Sequence, residues 1–155
     1  MKNHTYHIHL QWTGNQGSGT SGYKDYSRSH LISSTNKTHD IYGSSDPSFR
    51  GDPERYNPEE LFVSSIASCH MLWSLHLCSA NNVVVSEYTD KAKGIMIENK
   101  DGSGQFSEVV LYPKVLIQNA SNRELASALH HKAHEMCFIA NSCNFKIQVE
   151  SEIMT

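Results

Sequence analysis

Residues 61–80 contain no charged side chain, and whatever this chain folds into has to cover that stretch. Asn57-Pro58-Glu59-Glu60 stands directly before it. Asn57 is suited to accept bonds from the free N–H groups of a first helical turn, and proline has a backbone angle pre-set for the first helical position. Glu60 falls at the capping-box position, beside the positive helix end. The pattern predicts one helix from Pro58 to Ala80, about 34 Å long. Five serines and two histidines, His70 and His76, interrupt the apolar run, so it reads as a core helix and no membrane span is expected. Its apolar positions lie round most of the circumference, which predicts cover on several sides.

The remaining sequence fits around that helix as one domain, 1–155. Residues 6–12 alternate, with Tyr6, Ile8, Leu10 and Trp12 on one side and His7, His9 and Gln11 on the other, as in a strand with one wet face. Short strands are expected at 30–33 and 38–42. Gly14, Gly17, Gly19 and Gly22 form a loop that lacks the GK[ST] ending of a phosphate-binding site. Beyond the helix, strand-like runs at 83–85 and 92–98, the turn Asp101-Gly102-Ser103-Gly104 and the run 106–117 predict a long antiparallel hairpin. Ser121-Asn122-Arg123-Glu124 repeats the capping pattern and predicts a second helix to about Cys137, followed by a strand over 145–149. The order gives an α+β fold, two helices covering an antiparallel sheet.

With 13 Lys+Arg against 16 Asp+Glu, the chain offers a nucleic-acid backbone little to bind, and no nucleic-acid partner is expected. The first ten residues are too rich in histidine for the apolar segment of a signal peptide. A cytoplasmic location with reduced thiols is therefore expected.

Of the four cysteines, Cys69 and Cys78 are nine residues apart on the first helix, nearly opposite in direction, so neither can bond to the other. A partner thiol has to come from Cys137 or Cys143. Cys78 looks like an ordinary small core residue, whereas Cys69 has Ser65, Ser68 and His70 around it. A competing pattern is metal: His130, His134 and Cys137 are spaced four and three apart, with His131 or Cys143 as additions, but there is no C-x2-C knuckle. The plainer reading leaves His130 and His131 partly exposed and His134 locally hydrogen-bonded. Two thiols on two helices can reduce an electrophilic oxygen. One thiolate attacks and becomes a sulfenic acid, and the second resolves it. A nearby arginine would hold the first as thiolate, and a carboxylate would hold the arginine.

Asn57-Pro58-Glu59-Glu60-Leu61-Phe62 followed by Ala67-Ser68-Cys69-His70 resembles the helix signature of the OsmC/Ohr family of thiol-dependent organic hydroperoxide reductases. Ala133-His134-Glu135-Met136-Cys137 with Asn141-Ser142 is similar to that family's second cysteine motif, and both occur in the family's order. The resemblance implies the OsmC-like fold, with antiparallel sheets packed on two main helices in an intertwined homodimer whose two active sites lie at the interface. It further implies a peroxidatic Cys69, a Cys137 that resolves it as a disulfide, and a Glu59 that pairs with the active-site arginine. Glu59 and Cys69 lie about 15 Å apart along one helix, which points to a Glu59 contributed by the second copy. Arg28 resembles the family's early arginine position; Arg50 lies near its later one, and Arg55 is a further candidate.

The implied activity uses no metal, flavin or heme. It takes organic or lipid hydroperoxides, for which Phe62, Met71, Trp73 and Phe138 offer an apolar wall, and a thiol reductant such as a dihydrolipoyl protein. Three features depart from the better-known branches: Phe138 where proline is common, His70 where phenylalanine is common, and the extra thiol Cys143. They keep open the alternative of a non-catalytic OsmC-like stress or ligand-binding protein.

Overall fold

Helix α1 spans Pro58–Ala80 in the computed structural model, which describes all 155 residues. Its start is the reciprocal cap expected from sequence: Glu60 N donates to Asn57 Oδ1 at 2.8 Å, and Asn57 N donates to Glu60 Oε2 at 3.0 Å. The helix ends where Asn82 turns left-handed at φ 58°. Val83 N then reaches back to Cys78 O at 2.9 Å, closing the free carbonyls as a glycine C-cap would. Only one stripe of α1 is buried, Ile66, His70, Ser74 and Cys78 at four-residue spacing. The expected cover on several sides is missing within a single chain, and Leu72 is 62% exposed.

The chain divides into two compact units, Met1–Leu61 and Phe62–Thr155. The first contains an antiparallel meander of β1 (His9–Trp12), β2 (His30–Ser33) and β3 (Ile41–Gly43). Strand β1 is shorter than its alternating sequence suggests, and all four residues are exposed. The predicted inner face, Tyr6, Ile8, Leu10 and Trp12, is thus uncovered in the isolated chain. The loop after β1 closes tightly: Trp12 Nε1 donates to Ser27 O at 2.8 Å, and a Cβ on Gly14 would stand 1.9 Å from that same oxygen. Only glycine fits there.

The second unit is built on the expected hairpin, broken in the middle. One arm is β4 (Val85–Asp90) and β5 (Lys93–Glu98), and the other is β6 (Gly104–Leu111) and β7 (Pro113–Ile117). Pairing is antiparallel, β5 with β6 and β4 with β7. At the break Tyr112 N donates to Asp90 Oδ1 at 2.8 Å. The C-terminal segment departs from the prediction in two ways. It forms a second strand, β9 (Glu152–Met154), after β8 (Lys146–Val149), and both pair in parallel, β8 with β6 and β9 with β7. The sheets are therefore mixed rather than purely antiparallel.

Helix α2 spans Arg123–Met136. The capping box expected at Ser121 does not form. Ser121 instead donates from both N and Oγ to Asn119 Oδ1, and Asn119 caps a 3-10 turn that leads into the helix. Arg123 fastens this end of α2 to β9, with Nη1 on Ile153 O at 2.7 Å and Nη2 on Thr155 Oγ1 at 3.0 Å. Two apolar clusters fill the unit. Cys78, Val83, Val115, Ile117, Ala126, Leu129 and Ile153 join α1 and α2 to the β4–β7–β9 sheet. Ile66, Val109 and Leu111, with Phe62, Phe106 and Phe145, join α1 to the β5–β6–β8 sheet. Fully burying one such side chain contributes about 1.5–3 kcal/mol.

Candidate active site

Cys69 lies on α1 beside the buried stripe and is itself partly exposed. The serines that made its surroundings look reactive do other work. Ser65 Oγ donates to Phe62 O at 2.7 Å and Ser68 Oγ to Ser64 O at 2.8 Å, so both hydroxyls are taken up by the helix's own carbonyls. His70 turns into the α1–α2 contact. What neighbours Cys69 is Cys137, the residue just past the end of α2, close enough for the Cys69 sulfur to act on the Cys137 thiol.

Cys137 has no exposed surface. Burial pushes its thiol up to about 11, and the neighbouring Cys69 sulfur adds to the rise; the amides of Ala140 and Ile139 oppose it. Cys137 is thus protonated at neutral pH. Cys78 is buried in the first apolar cluster, where burial pushes its thiol up. Cys143 sits under the second cluster, its Sγ donating to Ile139 O at 3.2 Å.

The metal-like pattern on α2 comes apart in three dimensions. Cys137 meets Cys69, while His130 turns the other way, and no three His, Cys, Asp or Glu side chains gather as a metal site. His130, expected to be partly exposed, is only 2% exposed. Its Nδ1 lies 3.0 Å from His70 Nε2 and 3.3 Å from Ser74 Oγ, and the two rings stack at 5.3 Å. Burial lowers both histidines to about 4, so the bond joins two neutral rings. Sequence reasoning missed this pair. Its signal was His130 standing among Ala126, Leu129 and Ala133 on the apolar stripe of α2.

In the first unit the Arg28 guanidinium donates to Tyr26 O at 2.6 Å and Tyr23 O at 2.8 Å. It lies over both tyrosine rings, at 4.2 and 4.4 Å, and such stacking leaves part of a guanidinium fork free to bind. Arg50, left-handed at φ 66°, makes no ion pair, and Arg55 pairs with Asp52 at 3.2 Å on the surface, a contact worth little. Arg28 and Arg50 line one cavity of about 330 Å³ with Lys24, Gln16 and Asp52. Glu59 is partly exposed and makes no ion pair within the chain.

Two helices on mixed sheets, with a buried thiol facing a half-open one across them, define an α+β protein carrying a dithiol centre. The chain belongs to the OsmC family: the model described as OsmC-like protein matches residues 51–152. An OsmC-like protein of unknown function from Vibrio cholerae is 32% identical, with 98% of this chain and 100% of that one covered at a TM-score of 0.83. The organic hydroperoxide resistance proteins of Elizabethkingia anophelis and Bacillus subtilis share the fold. Each is 20% identical, with TM-scores of 0.68 and 0.61, over 100% and 96% of this chain and 99% and 98% of theirs. No curated protein matches the sequence.

Proposed function

We propose that this chain is a thiol-dependent peroxidase that reduces organic hydroperoxides to alcohols. The observation carrying this reading is that the thiols of Cys69 and Cys137 are neighbours although they arrive from different helices. The Cys69 thiolate attacks the terminal peroxide oxygen, the O–O bond breaks, and the alkoxide leaves as alcohol after taking a proton. Cys69 is left as sulfenic acid. The Cys137 sulfur then attacks the Cys69 sulfur and water leaves, forming the disulfide. A dithiol of the dihydrolipoyl kind implied by the family resemblance returns both sulfurs to thiols, which suits a reducing cytoplasm.

Arg28, steadied by Glu59, is the group proposed to stabilise the Cys69 thiolate and the departing oxygen, and a homodimer is the proposed working unit. Trp73 follows Cys69 by one helical turn and meets Phe138 edge-on at 5.7 Å, giving apolar substrates a surface beside the thiols. The test is single turnover: reduced protein mixed with cumene hydroperoxide should lose two thiols per alcohol formed, and Cys69→Ser should lose none. Alcohol production undiminished in Cys69→Ser would overturn the proposal.

A further inference from the structure

Cys143 is the one thiol near the pair that the cycle above leaves idle. It is tied to Cys137 through a single peptide unit, the one joining Ile139 to Ala140. The carbonyl of that unit accepts from Cys143 Sγ at 3.2 Å, and its N–H donates to Cys137 Sγ at 3.4 Å. Peptide dimensions then hold the two sulfurs within about 9 Å of each other. The turn carrying this peptide is not packed down: Phe138 is 69% and Ile139 36% exposed. The two sulfurs stand on opposite edges of that peptide, so joining them requires the turn to rotate and tighten until the two Cα atoms come into disulfide range. Accessibility supplies the motive. Cys69 and Cys143 are both partly exposed and Cys137 has no surface, so moving the bond from Cys69 to Cys143 keeps one reachable sulfur in the disulfide while it frees Cys69.

We propose that Cys143 is a second resolving thiol, which attacks the Cys137 sulfur of the first disulfide and moves the oxidised bond to Cys137–Cys143. This rests on the peroxidase reading. The Cys143 thiol gives up its proton, a Cys137–Cys143 S–S bond forms, the Cys69–Cys137 bond breaks, and Cys69 leaves as thiolate ready for another peroxide. No electrons enter or leave in this exchange; both oxidising equivalents come from the peroxide. A dithiol reductant then works on the exposed turn.

Trypsin places Cys137 and Cys143 on one peptide, residues 133–146, and Cys69 on another. Reduced protein given one equivalent of cumene hydroperoxide, quenched by acid at intervals and alkylated, should first yield the cross-linked pair of peptides. That species should then decay as the 133–146 peptide appears lighter by two hydrogens. In Cys143→Ser and Cys143→Ala the cross-linked pair should persist and accumulate several-fold above wild type. In Cys69→Ser the lighter peptide should not form at the wild-type rate. A wild-type protein that keeps the cross-link and never forms the internal disulfide overturns the relay and leaves the peroxidase intact. The internal disulfide forming equally fast in Cys69→Ser also overturns it, because oxidation would then bypass Cys69. Cys69 that is not oxidised at all removes the peroxidase and the relay with it.

Discussion

Cys137 is closed to solvent, yet it neighbours a Cys69 thiol that is partly open. Solvent therefore reaches one sulfur of the pair and not the other. In the proposed cycle this asymmetry sets the order of events: the open thiol is oxidised first and the closed one responds.

The closed thiol sets a pH dependence. With burial holding Cys137 near 11, only a small fraction is thiolate at neutral pH, and that fraction grows roughly tenfold per pH unit. Disulfide closure after Cys69 oxidation should accelerate with pH between about 6 and 9, with a slope near that value. Quenched alkylation at each pH measures it. A closure rate indifferent to pH would mean that Cys137 does not attack as an ionised thiol.

Replacing Cys137 by serine should leave the first step intact and block the second. The sulfenic acid on Cys69 should then be trappable by dimedone at a yield near one per chain, and excess peroxide should drive it on to sulfinic acid. A Cys137→Ser protein that yields no dimedone adduct would argue against a stable Cys69 sulfenate.

Acid should loosen the contact between α1 and α2. His70 and His130 are held at about 4 by burial, whereas in the unfolded chain both titrate near 6.5. As pH falls below that value the unfolded state binds protons that the folded state refuses. Stability is thus lost from about pH 6.5 down to about 4 and levels off below, by at most about 2.7 kcal/mol per pH unit for two groups. Urea midpoints taken across this window should fall in wild type and much less in a His70→Leu, His130→Leu double variant. His130→Leu alone strands the His70 ring nitrogen and should cost about 1–3 kcal/mol at pH 7.

Arg28 and Arg50 share a cavity, and substitution separates their roles. Arg28→Met should slow Cys69 oxidation by organic peroxide on the order of a hundredfold, since the proposed role of its charge is to stabilise the departing oxygen. Arg50→Met should change it little. Stopped-flow oxidation rates decide, and a reversed pattern would move the assignment to Arg50.

The uncovered faces of α1 bear on assembly. Sedimentation equilibrium should give twice 17.4 kDa, and Leu72→Glu, a charge on the exposed apolar face, should shift the protein toward monomer. A monomer with full activity would remove Glu59 from a shared site.

Local chemistry was the legible part of the sequence. Asn57 and Glu60 announce their own cap because both partners lie three residues apart, and the hairpin turn at Gly102 does the same. The parallel pairing of β8 and β9 escaped because it joins residues some 40 apart in sequence, such as Val109 with Ile147, and nothing in either segment names the other. His130 escaped because a histidine among alanines and leucines reads equally as a surface or a buried residue until its partner is known. The pairing of Cys69 with Cys137 was implied by the family motifs; spacing had left Cys143 equally open.

Helices that touch only through alanine, leucine and isoleucine can slip past one another by a turn, about 5.4 Å, and still bury much the same area. The bond between one nitrogen of His70 and one nitrogen of His130 permits a single alignment. The histidines therefore act as a key for chemistry they never touch, since the same slip would carry Cys69 a full turn away from Cys137. A protein so misaligned would still be folded and keep all four thiols, and its Cys69 would stand with no partner thiol beside it.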